Sequence, residues 1–349
     1  MNTQIFLVCE PAAAQKQLEE AGKIIRAGGL VVFPTETVYG LGGDGTNRDA
    51  AAKIYAAKGR PSDNPLIIHI ADPEDASRYA YTTPLYFALA KAFMPGPLTV
   101  IMPKRDNVPD SVTGGLDSVA VRCPSHPVAN ALIRASGTCI AAPSANLSGK
   151  PSPTEASHVV QDLMGKVDAI IDGGACEIGL ESTIVKIQQD EQGQPYLLLL
   201  RPGAVTHDAL CCVCPRVDIA PAVAEKLAEN ERPLSPGMKY RHYAPSAPLI
   251  LLDGDDADVL AFLQREQRTT RCTVLCYDEE VDHLAQGKII PVGSKSDLAR
   301  QANRLFAALR EADATDAQII YAHLPPMQGL GLALYNRMIR AAAHTVLKI

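Results

Sequence analysis

Residues 30–45 read LVVFPTETVYGLGGDG. The opening LVVF is apolar without alternation, the pattern of a strand buried on both faces. Pro34 then releases the chain into a loop that carries Thr35, Glu36, Thr37 and Tyr39 and runs through its glycines to Gly45. Upstream, Leu18, Ala21, Ile24 and Ile25 recur at helical spacing within residues 11–29, and Gly28-Gly29 supply the left-handed stop. Downstream, Asn47 is placed to cap a helix through Ala57, and PLIIHI (residues 65–70) reads as another buried strand. A buried strand that delivers hydroxyls and a carboxylate to its end, between two helices, is how α/β folds present ligand-binding groups.

The alternation continues through LTVIM (98–102), VAVRC (119–123), CIAAP (139–143), AII (169–171), STIVKI (182–187) and YLLLL (196–200), giving an α/β domain that ends near Arg201. Residues 231–248 hold Pro233, Pro236, Pro245 and Pro248 around Met238, Lys239 and Tyr240, a composition that continues neither helix nor sheet. Beyond this linker, PLILLDG, a helix over 256–267, TVLCY, a helix over 295–310, QIIYAHL and a helix over 332–343 repeat the βα order on a smaller scale. The expected division is a first domain over 1–205, a helix and Pro-rich linker over 206–247, and a second α/β domain over 248–349. The 349 residues are ample for two unstapled cores.

Composition excludes several functions. Hydrophobic residues make up 47% and charged residues 21%, with no apolar run long enough to span a bilayer, so no membrane role is expected. The start, MNTQIFLVCEP, lacks a basic segment before a long apolar one, which places the chain in the cytoplasm as an expectation. Nine cysteines, an odd number, are read as reduced thiols, and Cys211, Cys212 and Cys214 have no partner pair at zinc-site spacing. A net charge of -6 opposes broad attraction to a phosphate backbone.

Chemistry-bearing residues gather in a few segments. Lys58 and Arg60, in KGRPSDNP, combine a point charge with a planar donor fork two residues apart. The segment is expected to be extended, so both face one side and suit an anion; the alternative is a pair of solvated surface charges. PSANLSGKPS (143–152) offers Ser144 and Asn146, again two apart, as uncharged donors. Arg122, inside an apolar strand, needs an anionic partner if buried, either a ligand or an acidic side chain. Ser182 and Thr183 open a later strand. His69, inside PLIIHI, reads on its own as a satisfied core histidine.

PTETVYGL, KGRPSDNPLIIHI, PGPLTVIMPK, SVAVRCP, APSANLSGKPSPT and GLESTIV, in this order, resemble the YrdC-like family. SPGMKYRHYAP with GLGLALYNRMIRAA resembles its longer, two-domain threonylcarbamoyl-AMP synthases. The resemblance spans nearly the whole chain and implies a YrdC-like twisted mixed sheet followed by a smaller Rossmann-like α/β domain. It implies that Lys58, Arg60, Ser144 and Asn146 surround the nucleotide phosphates and the bicarbonate-derived group. Asn64, Ser118, Ser152, Arg201 and Tyr240 would help hold ATP, and Thr37, His69, Arg122 and Ser182 would recognise L-threonine. Tyr240 and His242 would belong to a linker that folds over the pocket.

The activity so implied joins L-threonine, bicarbonate and ATP into threonylcarbamoyl-AMP and pyrophosphate. Mg²⁺ is expected to arrive with ATP, and the product to pass to the machinery that modifies tRNA, with at most weak direct contact with tRNA. An RNA-binding module and a carbamoyltransferase of the same fold are the rival expectations.

Overall fold

The computed structural model describes residues 2–62, 64–225, 243–285 and 289–349. These form two compact units, one of residues 2–148, 153–177 and 181–225, the other of residues 149–152, 178–180 and 243–349.

In the first unit the chain runs β1 (Gln4–Leu7), α1 (Gln15–Arg26), β2 (Val31–Phe33), β3 (Gly40–Asp44), α2 (Arg48–Lys58), β4 (Ile67–His69), α3 (Pro84–Phe93), β5 (Leu98–Pro103) and α4 (Asp110–Thr113). It continues β6 (Ser118–Arg122), α5 (Pro127–Ser136), β7 (Ile140–Ala142), α6 (Ala156–Leu163), β8 (Ala169–Asp172), β9 (Thr183–Gln189), β10 (Pro195–Arg201), α7 (His207–Cys211) and β11 (Val217–Ile219). The strands form one mixed sheet in the order β1-β8-β2-β3-β7-β4-β6-β5-β9-β10-β11.

The opening stretch decides the layering. Val32 packs into a core with Leu41, Ile54 and Ile68 on one face, while Val31 and Phe33 point to the other, against Leu18, Ala21 and Ile25 of α1 and Leu132 of α5. Helices therefore cover both faces, which is why LVVF carries no polar alternation. Full burial of one side chain such as Phe33 contributes about 3 kcal/mol. Helix α1 stops where Gly28, at φ 77, bonds back to the Ile25 carbonyl and Gly29 to that of Ile24. Asn47 caps α2 by accepting the Asp49 amide.

Two departures from the sequence expectation concern β3 and β11. The loop expected to run through Gly45 ends at Tyr39, because Gly40–Asp44 form β3, antiparallel to β2 and β7. Glycine ordinarily weakens strands, but a Cβ at Gly42 would lie 2.7 Å from Ile140 Cγ2 and 2.8 Å from Phe33 Cε1. Close packing of neighbouring strands requires the glycine there. In addition, the sheet does not stop at Arg201: β11 pairs parallel with β10 and forms its edge.

The second unit contains β12 (Leu249–Asp253), α8 (Asp256–Thr269), β13 (Cys272–Cys276), β14 (Ile289–Pro291), α9 (Leu298–Asp313), β15 (Ile319–His323), α10 (Gly331–Ala341) and β16 (Val346–Lys348). Its sheet, β14-β13-β15-β12-β16, is parallel at every pairing, as in Rossmann-like folds. Among the described residues no helix is long and apolar enough to cross a membrane, and none of the nine cysteines is in a disulfide.

Candidate active site

Neighbouring strands set one half of the site. In the parallel pair β4/β6, His69 lies opposite Arg122, and in the antiparallel pair β6/β5, Arg122 lies opposite Thr99. Residues in register share a face of the sheet, so His69, Arg122 and Thr99 form a lateral row. Ser182, just before β9, joins it with its Oγ 2.7 Å from Thr99 Oγ1. Arg201, at the end of β10, donates from Nε to the Ser182 carbonyl and from Nη2 to Ser182 Oγ, at 3.0 and 3.1 Å.

The loop after β2 brings the acid. Arg122 Nη2 lies 2.8 Å from Glu36 Oε1, and both residues are 4% exposed. The two form an ion pair within hydrogen-bond distance, and Arg122 Nε has no hydrogen-bond partner among the described residues. Burial, the largest single influence, would raise the Glu36 pKa, but the Arg122 charge together with hydrogen bonds from Arg122 and from the Glu36 and Ser125 amides outweighs it, and the net shift is downward, so Glu36 is ionised. Thr35 donates its hydroxyl hydrogen to the Val38 carbonyl at 2.6 Å, so in the 2.8 Å contact between the two hydroxyls Thr37 is the donor. Thr37 Oγ1 keeps its lone pairs for accepting.

His69 is wholly enclosed, edge-on to Phe33, with Nδ1 3.1 Å from the Ile67 carbonyl and 3.3 Å from that of Ile140. Burial, and then the Arg122 charge, push its pKa down to about 3, so the ring is neutral. Its proton sits on Nδ1 between the two carbonyls, which makes Nε2 an acceptor.

The other half is built on α2 and the loop after β7. Tyr39 and Leu41 bond this loop through Ala145 and Pro143, which ties it to the chain that carries Glu36. Lys58 is the last residue of α2, not part of an extended segment: Gly59 follows as a left-handed cap at φ 60. The expected same-side placement of Lys58 and Arg60 by strand spacing therefore does not hold. Lys58 is 3% exposed, and its ammonium donates to the carbonyl oxygens of Ser144 and Asn146 and to Asn146 Oδ1. Ser144 Oγ donates to the same Oδ1. Half-buried Arg60 donates from Nη2 to the carbonyls of Asn64 and Pro65. Asn64 is fully buried, yet its side-chain oxygen and nitrogen have no partner among the described residues. Such a group marks a place where a ligand completes the bonding.

The sequence-derived set is thus brought together unevenly. Thr37, His69, Arg122, Ser182 and Arg201 form one connected group, and Lys58, Ser144 and Asn146 another, with Arg60 beside Asn64. Ser118 lies at the far end of β6 from Arg122, about 13 Å away by strand rise. Ser152 is buried in the short segment that clusters with the second unit. Tyr240 and His242 lie outside the described residues. Sequence reasoning assigned no role to Glu36 or Thr99: the first was legible as a carboxylate in the PTET loop, but only strand register places the second.

This sheet and the residues at its centre define a YrdC-like α/β protein. The family described as "Telomere recombination" matches residues 23–203, and "Threonylcarbamoyl-AMP synthase, C-terminal domain" matches residues 205–343. A threonylcarbamoyl-AMP synthase of Bacillus subtilis is 43% identical over 335 residues, covering 95% of this chain and 94% of that protein. One from Pyrococcus abyssi is 43% identical over 94% of this chain and 95% of its own. The solved structure of P. abyssi Sua5 complexed with L-threonine superposes with a TM-score of 0.90 at 41% identity, over 99% of this chain and 100% of that one. The chain belongs to the threonylcarbamoyl-AMP synthase family and is an enzyme of the nucleotidyltransferase type.

Proposed function

We propose that this enzyme condenses L-threonine, bicarbonate and ATP into threonylcarbamoyl-AMP, releasing pyrophosphate, and that the product feeds the modification of tRNA in the cytoplasm. The observation that carries this reading is the pairing of two unlike halves. A buried arginine paired with Glu36 sits beside neutral acceptors, while Lys58 fastens the Ser144–Asn146 loop and Arg60, two residues on, bonds the main chain of Asn64, whose buried amide has no partner among the described residues.

Arg122 suits the carboxylate of threonine, because a guanidinium fork matches two carboxylate oxygens. His69 Nε2 is the acceptor for its one hydroxyl hydrogen, Thr37 lies at the same end, and Ser182, fixed by Thr99 and Arg201, closes it. Asn64 and Arg60 suit the nucleotide, with Ser118 further along β6. The Ser144–Asn146 loop, anchored by Lys58, lies where phosphate and carbamate oxygens would meet. Ser152 and Tyr240 are assigned to ATP, and Tyr240 and His242 to a closing lid, by resemblance alone.

Chemically, the threonine nitrogen joins the bicarbonate carbon and water leaves. A carbamate oxygen then attacks the α-phosphorus, and the bond to pyrophosphate breaks. No covalent enzyme intermediate is required, so the chain's work is alignment and charge stabilisation. Arg60 and the polar loop that Lys58 fastens are assigned to the charge that develops on the phosphate. Enclosure protects the mixed anhydride from water. Among the described residues no three His, Cys, Asp or Glu side chains gather as a metal site, so Mg²⁺ is proposed to be held by phosphate oxygens and water, where it neutralises charge.

The test is to incubate the enzyme with ATP, L-threonine and ¹³C-bicarbonate and to analyse the products by mass spectrometry. A labelled threonylcarbamoyl adenylate is expected; label confined to bicarbonate would contradict the proposal.

A further inference from the structure

Glu36 is an anomaly if Arg122 needs only a substrate carboxylate. An arginine left unpaired would attract that carboxylate more strongly, whereas Glu36 cancels its charge and competes for its donors. His69 adds no charge, so the pair with its neighbour is electrically neutral. A neutral pair of opposite, adjacent charges is a poor receptor for an anion and a good one for a zwitterion.

We propose that Glu36 receives the α-ammonium group of the amino acid while Arg122 takes its carboxylate, so that the buried pair selects a free amino acid over the corresponding hydroxy or N-acylated acid. This rests on the threonine reading given above and assigns the one charged group of threonine that the reading leaves without a partner. Bond lengths place the nitrogen and carboxylate carbon of an α-amino acid within about 3 Å of one another, comparable with the 2.8 Å between Arg122 Nη2 and Glu36 Oε1. Buried Arg122 Nε has no hydrogen-bond partner among the described residues, a group that costs about 1–3 kcal/mol if left unsatisfied, and a zwitterion supplies both an acceptor for the arginine and donors for the glutamate. Thr37 Oγ1, adjacent in sequence and free to accept, offers the ammonium a second oxygen. The contact belongs to the bound substrate before any proton leaves its nitrogen.

Calorimetric binding to the full-length protein tests this, using L-threonine, N-acetyl-L-threonine and the 2,3-dihydroxybutanoate of the same configuration. The unaltered enzyme is expected to bind threonine about 10- to 100-fold more tightly than the dihydroxy acid, the range for one hydrogen bond to a charged group. Glu36→Gln should lose most of that discrimination by weakening threonine alone, and Glu36→Asp should restore part of it. Equal binding of threonine and the dihydroxy acid by the unaltered enzyme would overturn the inference without recourse to a variant. Parallel loss of both ligands in Glu36→Gln would overturn it by showing that Glu36 only supports Arg122. Failure of the unaltered enzyme to bind threonine at all would instead strike the threonine reading itself.

Discussion

Lys58 donates its ammonium to the main-chain oxygen of Asn146, 88 residues further along the chain. With its bond to the Ser144 carbonyl, this fastens the loop after β7 to the end of α2. Lys58 therefore supports the fold, besides the role proposed for it in the reaction. Replacing it by Met, which keeps the apolar stem, leaves two buried carbonyls without that donor, and a loss of about 2–3 kcal/mol in folding stability is expected. Turnover should fall more than tenfold. Half-buried Arg60, replaced by Ala, should lose comparable turnover for about 1 kcal/mol or less. Urea unfolding beside pyrophosphate release separates the two.

Asn64 should show the opposite balance. Its buried amide has no partner among the described residues, so Asn64→Leu, similar in volume, should leave the free protein as stable or about 1 kcal/mol more stable. ATP affinity should nevertheless drop about tenfold. Thermal unfolding with and without ATP checks both, and a destabilised variant with normal ATP binding would contradict this role.

Thr99 sits opposite Arg122 and holds the Ser182 hydroxyl. Thr99→Val keeps the shape and removes that bond. The KM for threonine should rise several-fold, that for ATP should change little, and stability should fall by about 1 kcal/mol. Steady-state kinetics with each substrate varied in turn provide the measurement.

His69 gives the protein a definite pH dependence. Its folded pKa is about 3, against an ordinary 6.5, so between these values the unfolded chain binds a proton that the folded one does not. The stability from its neutral burial is complete above pH 6.5 and is lost as pH falls toward 3, with a limiting slope of about 1.4 kcal/mol per pH unit. Glu36, whose pKa is lowered, adds loss in the same direction below its ordinary 4.5. Urea unfolding from pH 4 to 7 should show a smaller slope for His69→Gln than for the unaltered protein.

Much of this architecture was legible in the sequence because burial leaves a local record. LVVF, PLIIHI and VAVRC are apolar throughout, and Asn47 and Gly28-Gly29 mark helix ends by backbone chemistry alone. Strand β3 was hidden because Gly42 is demanded by Phe33 and by Ile140, the latter 98 residues further along the chain. The site divided in the same manner. Arg122 announced itself as a cation in an apolar strand, and His69 needed the family resemblance to stand out from an ordinary core histidine. Thr99 depends on register with Arg122, 23 residues further along, and the helical place of Lys58 is hidden because a helix end and its left-handed Gly59 cap resemble any turn in composition.

The most direct test of the account is pyrophosphate release from ATP by the unaltered enzyme with L-threonine and bicarbonate each withheld in turn. Release is predicted only when both are present. Equal release with either one withheld would contradict the account, because the two halves of the site would then not be joining an amino acid to a nucleotide through a carbamate.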